Sequence, residues 1–348
     1  MPRTWNAAVI GCGSIAQHMH IPGYAGCPGV RLVAACDPEP ARRKEVEKRQ
    51  PGLRTYDDYR EMLSAERVDV VSVASPNCFH AEHACAALRA GAHVLLEKPA
   101  AVSMNEIDRI RAAVRASGRQ LIVGFSHRFK RGNRKIQRLL KEGVIGEPYM
   151  IRVRLAHTGP LPGWAKSDWF YNPRLAGGGA MLDMAIHAID QALWYLGPVR
   201  SVQAAVKTLR KNIRLDDTAV LLLEFAKTRA LGYVEAGWTS PAGFNGIEIM
   251  GDAGCIIEDY AGAGTLTVTT GKVTPDLRVK TRLVTRVLDR NANEGGWSVE
   301  IGEVVRAFRR NTDLGCGIEA GGAALQVALA GYESSRTGRR VTLPSTKR

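Results

Sequence analysis

Asp183 and His187 stand four residues apart in GGGAMLDMAIHAID, residues 177–190. On a helix that spacing stacks a carboxylate and an imidazole on one face. Such a pair can hold a metal, serve a nucleophile or move a proton, and a structural Asp–His contact has the same spacing. A metal needs a third convergent ligand and an open position. No second histidine-rich stretch supplies one, so no metal is expected. GxSxG, HExxH and GxxxxGK[ST] do not occur, and no tyrosine has a lysine four residues on. Those absences argue against a serine hydrolase, a zincin, a P-loop NTPase and a short-chain dehydrogenase.

A second constellation lies near the start. Gly11-Cys12-Gly13-Ser14-Ile15-Ala16 fits GxGxx(G/A) after a short apolar run. Gly11 permits the tight turn, and Gly13 lets a pyrophosphate reach backbone N–H groups at a helix start. Ala16 is small enough for helix–strand packing. Asp37 ends the next apolar run, where its carboxylate can accept hydrogen bonds from an adenosine ribose diol. That carboxylate favours NAD over NADP. Arg42 and Arg43 lie just beyond and leave some NADP use open.

The elements that must position these residues can be read from the pattern. Apolar runs at 5–11, 30–37, 67–76, 92–99 and 120–126 alternate with helical stretches. This predicts a parallel sheet with helices on both faces. Ligands gather beyond the carboxyl ends of such strands. The ends here are Gly11, Asp37, Ser75-Pro76-Asn77, Glu97-Lys98-Pro99 and Gly124 to His127. Lys98 follows HVLL directly, although an ordinary surface lysine can also occupy such an edge. Beyond residue 125 the runs at 149–157, 199–207, 217–226, 229–240, 246–259 and 265–270 follow one another through short turns. They predict a largely antiparallel sheet covered on one face. The expected division is an α/β dinucleotide-binding Rossmann domain, 1–125, and a second α/β domain, 126–348. The closing helices 297–311 and 317–338 are free to pack back on the first. Residues 271–290 resist placement. In the helix after the glycines, Leu182, Ile186, Ile189, Leu193 and Leu196 form an apolar core stripe. Asp183, His187, Asp190 and Trp194 share another face, with Asp190 read as structural.

The bulk composition excludes other classes. With 348 residues, 45% hydrophobic and 24% charged, the chain suits two ordinary globular domains. No apolar run is long enough to span a bilayer. The N-terminus lacks the pattern of a signal peptide, so a cytoplasmic protein is expected. Seven cysteines with no CxxC pair point to free thiols. The net charge is +14, but the basic residues are dispersed and no nucleic-acid-binding signature occurs, so no nucleic-acid partner is expected.

GCGSIA, SPNxxH at 75–80, EKP at 97–99 and GGGxxxDxxxH at 177–187 together resemble the Gfo/Idh/MocA family, the glucose–fructose oxidoreductase and inositol dehydrogenase family. The likeness extends to the YESSRTGRRVTLP ending. It implies an N-terminal Rossmann domain and a C-terminal α/β domain built on a large, mainly antiparallel sheet. It also implies hydride transfer between NAD or NADP and a CH–OH carbon of a sugar, cyclitol or related polyol. Lys98, Asp183 and His187 match the family's catalytic trio. Ser75, Asn77, His80 and Glu97, with Pro76 between them, match its cofactor side, joining Gly11, Gly13, Ser14, Ile15 and Asp37.

In such a reaction His187 has the intrinsic pKa to take the hydroxyl proton. Lys98 can donate a hydrogen bond to the same oxygen. Asp183 can orient His187 or meet a neighbouring hydroxyl, and the three glycines can clear room for the reactants. Trp164 and Trp169 can stack on a sugar ring or anchor a loop. Two other functions compete: a glycosidase that oxidises its substrate transiently with bound NAD, and a non-catalytic nucleotide-binding sensor. A one-face-covered sheet leaves an apolar surface, so a homo-dimer or homo-tetramer is expected.

Overall fold

The computed structural model describes residues 3–161, 165, 167–271 and 283–344. The chain divides into two interleaved units. The first contains residues 1–125, 161–177 and 297–325; the second contains 126–160, 178–296 and 326–348.

In the first unit six strands form one parallel sheet. They are β1 (Trp5–Ile10), β2 (Val30–Cys36), β3 (Arg54–Tyr56), β4 (Val70–Val73), β5 (His93–Leu96) and β6 (Leu121–Val123). Their order is β3-β2-β1-β4-β5-β6, with every pairing parallel. β4 and β5 are buried at every residue, as a sheet covered on both faces requires. The strand order reverses between β1 and β4, and the carboxyl ends there form the switch point at which such sheets bind ligands. β3 is absent from the apolar-run pattern because it is three partly exposed residues, RTY, at the sheet edge.

At the other edge the Val123 N–H donates to the Cys316 carbonyl at 2.7 Å. Phe308 stacks on His93 of β5, ring centroids 4.9 Å apart. The helix Met104–Ser117 begins at Ser103, whose Oγ accepts the Glu106 N–H, while Glu106 Oε2 accepts the Val102 N–H at 2.9 Å. This is a reciprocal cap close to the expected capping box.

Among its described residues the second unit holds nine strands. They are β7 (Pro148–Ala156), β8 (Val199–Lys207), β9 (Thr218–Phe225), β10 (Leu231–Gly237), β11 (Gly246–Gly251), β12 (Gly254–Asp259), β13 (Thr265–Thr270), β14 (Val284–Asp289) and β15 (Val341–Thr342). Their order is β14-β13-β12-β11-β7-β10-β9-β8-β15. Only the β7–β10 pairing is parallel among those described. β9 shows the period of two: Ala219, Leu221, Leu223 and Phe225 are at most 1% exposed, while Leu222 is 56% exposed.

One reading of the pattern is corrected, and one unassigned segment is placed. The run 246–259 is two strands, reversed between Gly251 and Gly254. The segment that resisted placement contributes β14 at the sheet edge; its residues 272–282 lie outside the described ones. The helix Ile186–Leu196 packs on β7 and β10. Leu182, Ile186 and Ile189 are at most 1% exposed, as the apolar stripe predicts. No helix among the described residues is long and apolar enough to cross a membrane, and none of the seven cysteines forms a disulfide.

Candidate functional site

In the first unit the glycine turn follows β1 directly. Gly11 has φ +96°, and a Cβ there would lie 2.6 Å from the Ala74 backbone. Only glycine fits that close approach of two strand ends. A Cβ on Gly13 would meet nothing within 4 Å, so the space before the helix start is open. Helical bonding begins at once, with Gln17 N–H on the Gly13 carbonyl at 3.0 Å. Ser14 and Ile15 form that first turn, and Ala16 is fully buried. The Asp37 carboxylate accepts the Cys12 N–H at 2.8 Å and the Glu39 N–H at 2.9 Å. A carboxylate offers about four acceptor positions, so capacity for a diol remains. Arg42 reaches within 3.6 Å of Asp37 Oδ2. Arg43 donates instead to the Asp37 and Pro38 carbonyls. These residues fit a dinucleotide: an open anion cradle on backbone N–H groups, then an acid for the ribose.

The loops after β4 and β5 are tied together by His80. Its Nδ1 meets the Pro99 carbonyl at 2.7 Å and its Nε2 the Ser75 carbonyl at 2.8 Å. Burial lowers the His80 pKa against these two acceptors. Ser75 Oγ bonds His83 Nδ1 at 2.9 Å, and burial brings His83 down to about 4, so it is neutral at physiological pH. Asn77 Nδ2 donates to the Ala176 carbonyl at 2.8 Å. Lys98 is half-buried and joined to Pro99 by a cis peptide bond. Its N–H points to Glu97 Oε2 at 3.3 Å. Glu97 Oε1 bonds His20 Nε2 at 2.9 Å, and His20 Nδ1 bonds Ser72 Oγ at 2.9 Å. Burial pushes the Glu97 carboxyl up, but the His20 hydrogen bond and the surrounding charges bring it below its ordinary value. Glu97 therefore anchors the Lys98 loop through its carboxylate. Trp169 stacks on Phe170, ring centroids 3.9 Å apart. Trp164 lies outside the described residues.

In the second unit Asp183 sits in a π-helical segment, Met181–Ala185, that runs into the α-helix Ile186–Leu196. The i→i+5 bonding of such turns recurs at functional sites. Asp183 and His187 are 7% and 5% exposed. Asp183 Oδ2 accepts the Trp238 indole N–H at 2.9 Å. His187 stacks on His127, centroids 4.9 Å apart and planes 27° from parallel. Asp190 forms a buried two-point ion pair with Arg128, at 2.8 and 2.6 Å, the structural role expected of it. Burial raises the Asp190 carboxyl's pKa while Arg128 pulls against it.

Besides Trp238, the residues Asp216, Asp217 and Tyr332 escaped the sequence reading. Asp216 accepts the Gly179 N–H at 2.8 Å, the Met181 N–H at 2.7 Å and the Tyr332 hydroxyl at 2.7 Å. It thereby holds the start of the helical run that carries Asp183 and His187. Gly178 and Gly179 have a packing reason distinct from substrate access. A Cβ at Gly178 would lie 2.3 Å from the Tyr332 hydroxyl, and one at Gly179 would lie 1.9 Å from the Asp216 carbonyl oxygen. Asp217 accepts the N–H groups of Leu209, Arg210 and Lys211, each at 2.8 Å, and so shapes the preceding loop. The only written signal was the adjacent pair Asp216-Asp217 before β9.

Residues 5–125 match the family model described as "Oxidoreductase family, NAD-binding Rossmann fold". Residues 133–257 match the model "GFO/IDH/MocA C-terminal domain". A D-glucoside 3-dehydrogenase of Escherichia coli (strain K12) is 36% identical over 199 residues, covering 57% of this chain and 56% of that protein. A myo-inositol 2-dehydrogenase of Thermotoga maritima is 28% identical over 267 residues, covering 75% and 77%. The crystal structure of GenD2 from gentamicin A biosynthesis, in complex with NAD, superposes with a TM-score of 0.84 at 26% identity. That match covers 99% of this chain and 98% of GenD2.

Proposed function

The chain belongs to the Gfo/Idh/MocA family of NAD-binding oxidoreductases, and on that premise we propose that it is an NAD-dependent dehydrogenase. Its substrate is a secondary hydroxyl, or the corresponding ketone, of a sugar, cyclitol or related polyol, with Lys98 and His187 as the proton-transfer groups. The observation that carries this reading is the retained set of Lys98 at the end of β5 and the buried Asp183–His187 pair on its helix. A sensor would need no such set. The names of the glucoside and inositol relatives support the substrate class.

NAD, when bound, supplies the hydride acceptor. Gly11, Gly13, Ser14 and Ile15 hold the pyrophosphate, and Asp37 takes the ribose diol. Lys98 Nζ donates a hydrogen bond to the substrate oxygen and stabilises its developing negative charge. A ring nitrogen of His187 takes the hydroxyl proton in oxidation and returns it in reduction. Asp183, its carboxylate fixed by the Trp238 indole N–H, orients His187 or meets a neighbouring substrate hydroxyl.

The test is a panel of D-glucosides, myo-inositol and other polyols with NAD, read by NADH absorbance, beside calorimetric titration with NADH and NADPH. NADH formation with at least one polyol, and tighter binding of NADH, is expected. A released sugar without net NADH would mark the NAD-using glycosidase. Binding without turnover anywhere on the panel would mark the sensor. Preference for NADPH would mean that Arg42, 3.6 Å from Asp37, overrides the acid.

The same reading carries a cytoplasmic location and a homo-dimer or homo-tetramer. The outward side of the nine-stranded sheet exposes Leu222 by 56% and Leu231 by 49%, with Val220 and Tyr233 half-exposed on the same strands and Met150 and Met250 on the neighbouring β7 and β11. Sedimentation equilibrium should give a mass of two or four chains, and a monomer would remove this part.

A further inference from the structure

His127 lies in the turn Ser126–Phe129, at the strand-end segment to which no chemistry has been assigned. Its ring stacks on His187 with centroids 4.9 Å apart and planes at 27°. Tyr260 meets the same His127 ring edge-on, at 5.7 Å and 74°. The Tyr260 hydroxyl is held by Gln191 Nε2 at 2.7 Å and by Asn133 Oδ1 at 3.0 Å. Asn133 Nδ2 in turn donates to the His127 carbonyl at 2.7 Å. Gln191 and Asn133 are fully buried. Gln191 stands four residues after His187, on the same helix face. The contacts therefore close a loop: His187 to His127, to Tyr260, to Gln191, and back along the helix. Each member fixes the next, and the plane of the His187 ring is fixed with them.

We propose that His127 is a positioning residue for His187: its ring fixes the plane of the His187 imidazole, and its charge, when present, opposes a proton there. A phenyl ring would hold the plane equally well. What imidazole adds, in a half-buried position, is the capacity to carry a charge. Two stacked imidazolium rings repel, so a proton on His127 keeps His187 in the form that accepts one. Other groups face the pair. Asp183, one turn away on the His187 helix, favours a proton on His187. Lys130, with Nζ 4.1 Å from the Tyr260 ring centroid, opposes one. Tyr260 stays a neutral hydroxyl because burial raises its pKa well above the ordinary value. Burial also raises Glu258, two residues before Tyr260, to about 8, which leaves it largely neutral. Arg128 and Asp190 offset each other in their ion pair.

This inference rests on the reading of His187 as the base, and its test separates the two. The probe is the imidazole NMR signal of His187 in the full chain, assigned by its loss in His187→Asn and followed through pH. In His127→Phe the ring plane is kept and the opposing charge is gone, so the His187 midpoint should rise by about one pH unit. In His127→Ala the plane is freed. The signal should broaden or split, and kcat on the best polyol of the panel should fall roughly tenfold at nearly constant KM. His127→Phe should recover that kcat at high pH. An unmoved midpoint in the phenylalanine variant would overturn the charge role. An unchanged signal and kcat in the alanine variant would overturn the positioning role. Wild-type turnover in His187→Asn would strike down the base reading instead, leaving the NMR comparison to stand by itself.

Discussion

Lys98→Ala should lower turnover by about 10²–10³-fold and leave NADH affinity within a few-fold of the wild type. The size follows from what the proposed role would lose: a cationic hydrogen-bond donor aimed at charge that develops as the reaction proceeds. The small effect on binding follows from where the proposed dinucleotide contacts lie. The proposed pyrophosphate and ribose contacts sit on the turn Gly11–Ile15 and on Asp37, after β1 and β2, whereas Lys98 follows β5. The scaffold of the Lys98 loop does not depend on its ammonium group. It is held by the His80 contact with the Pro99 carbonyl and by Glu97 through the Lys98 N–H. The alanine variant should therefore fold, bind NADH in the calorimeter and fail in the spectrophotometer. Wild-type turnover would remove Lys98 from the chemistry. Lost binding together with lost turnover would make it a cofactor ligand instead.

Asp216→Ala should destabilise the chain by about 2–4 kcal/mol and remove most turnover, although Asp216 carries out no chemistry. Its carboxylate accepts two N–H groups at the start of the helical run and the Tyr332 hydroxyl, and it is only 9% exposed. The first N–H groups of a helix have no partner within it. Without the carboxylate the Gly179 and Met181 N–H groups stay buried and unsatisfied, and Asp183 and His187 lose their fixed origin. Tyr332→Phe deletes one of the three bonds and is the milder control, costing about 1 kcal/mol with turnover largely kept. Urea denaturation of both variants beside their kinetics tests this ordering. An Asp216→Ala protein as stable and active as the wild type would show that the helix start is held by other contacts.

The parts of this fold that were legible in the sequence are those whose physics is local. β4 and β5 are buried on both faces, so every residue but His93 is apolar or small and the run stands out. The glycine turn shows because φ +96° and a backbone 2.6 Å away admit no side chain. The Asp183–His187 spacing survives a π-turn, which five residues cannot announce against a helical periodicity read over three turns. The unreadable parts depend on partners distant in the chain. β3 is a strand because β2 lies beside it, not because RTY prefers to be one. The run 246–259 looks continuous because its apolar residues alternate on both sides of the hairpin; Gly251 and Gly254 mark the reversal, but glycine occurs within strands as well. Asp216 acts on groups 35 and 37 residues upstream, and nothing near it in sequence names them. Asn77 and Glu97 stand where the cofactor side was expected, yet the described bonds of their side chains run to the Ala176 carbonyl, to His20 and to the Lys98 N–H.

The interleaving of the two units sets a timetable for synthesis. The strands of the parallel sheet have all been made by residue 123, but their last coverings have not. Cys316, whose carbonyl takes the Val123 N–H at the β6 edge, and Phe308, which stacks on His93, are among the residues that complete the first unit. At the usual pace of about 5–20 residues per second, the ribosome delivers them roughly ten to forty seconds after β6. Throughout that interval an edge strand with an unpaired N–H, and an apolar flank without its helix, face whatever else is in the cell. Such edges pair with other chains, so the nascent chain is most exposed to aggregation while the second unit is still being translated.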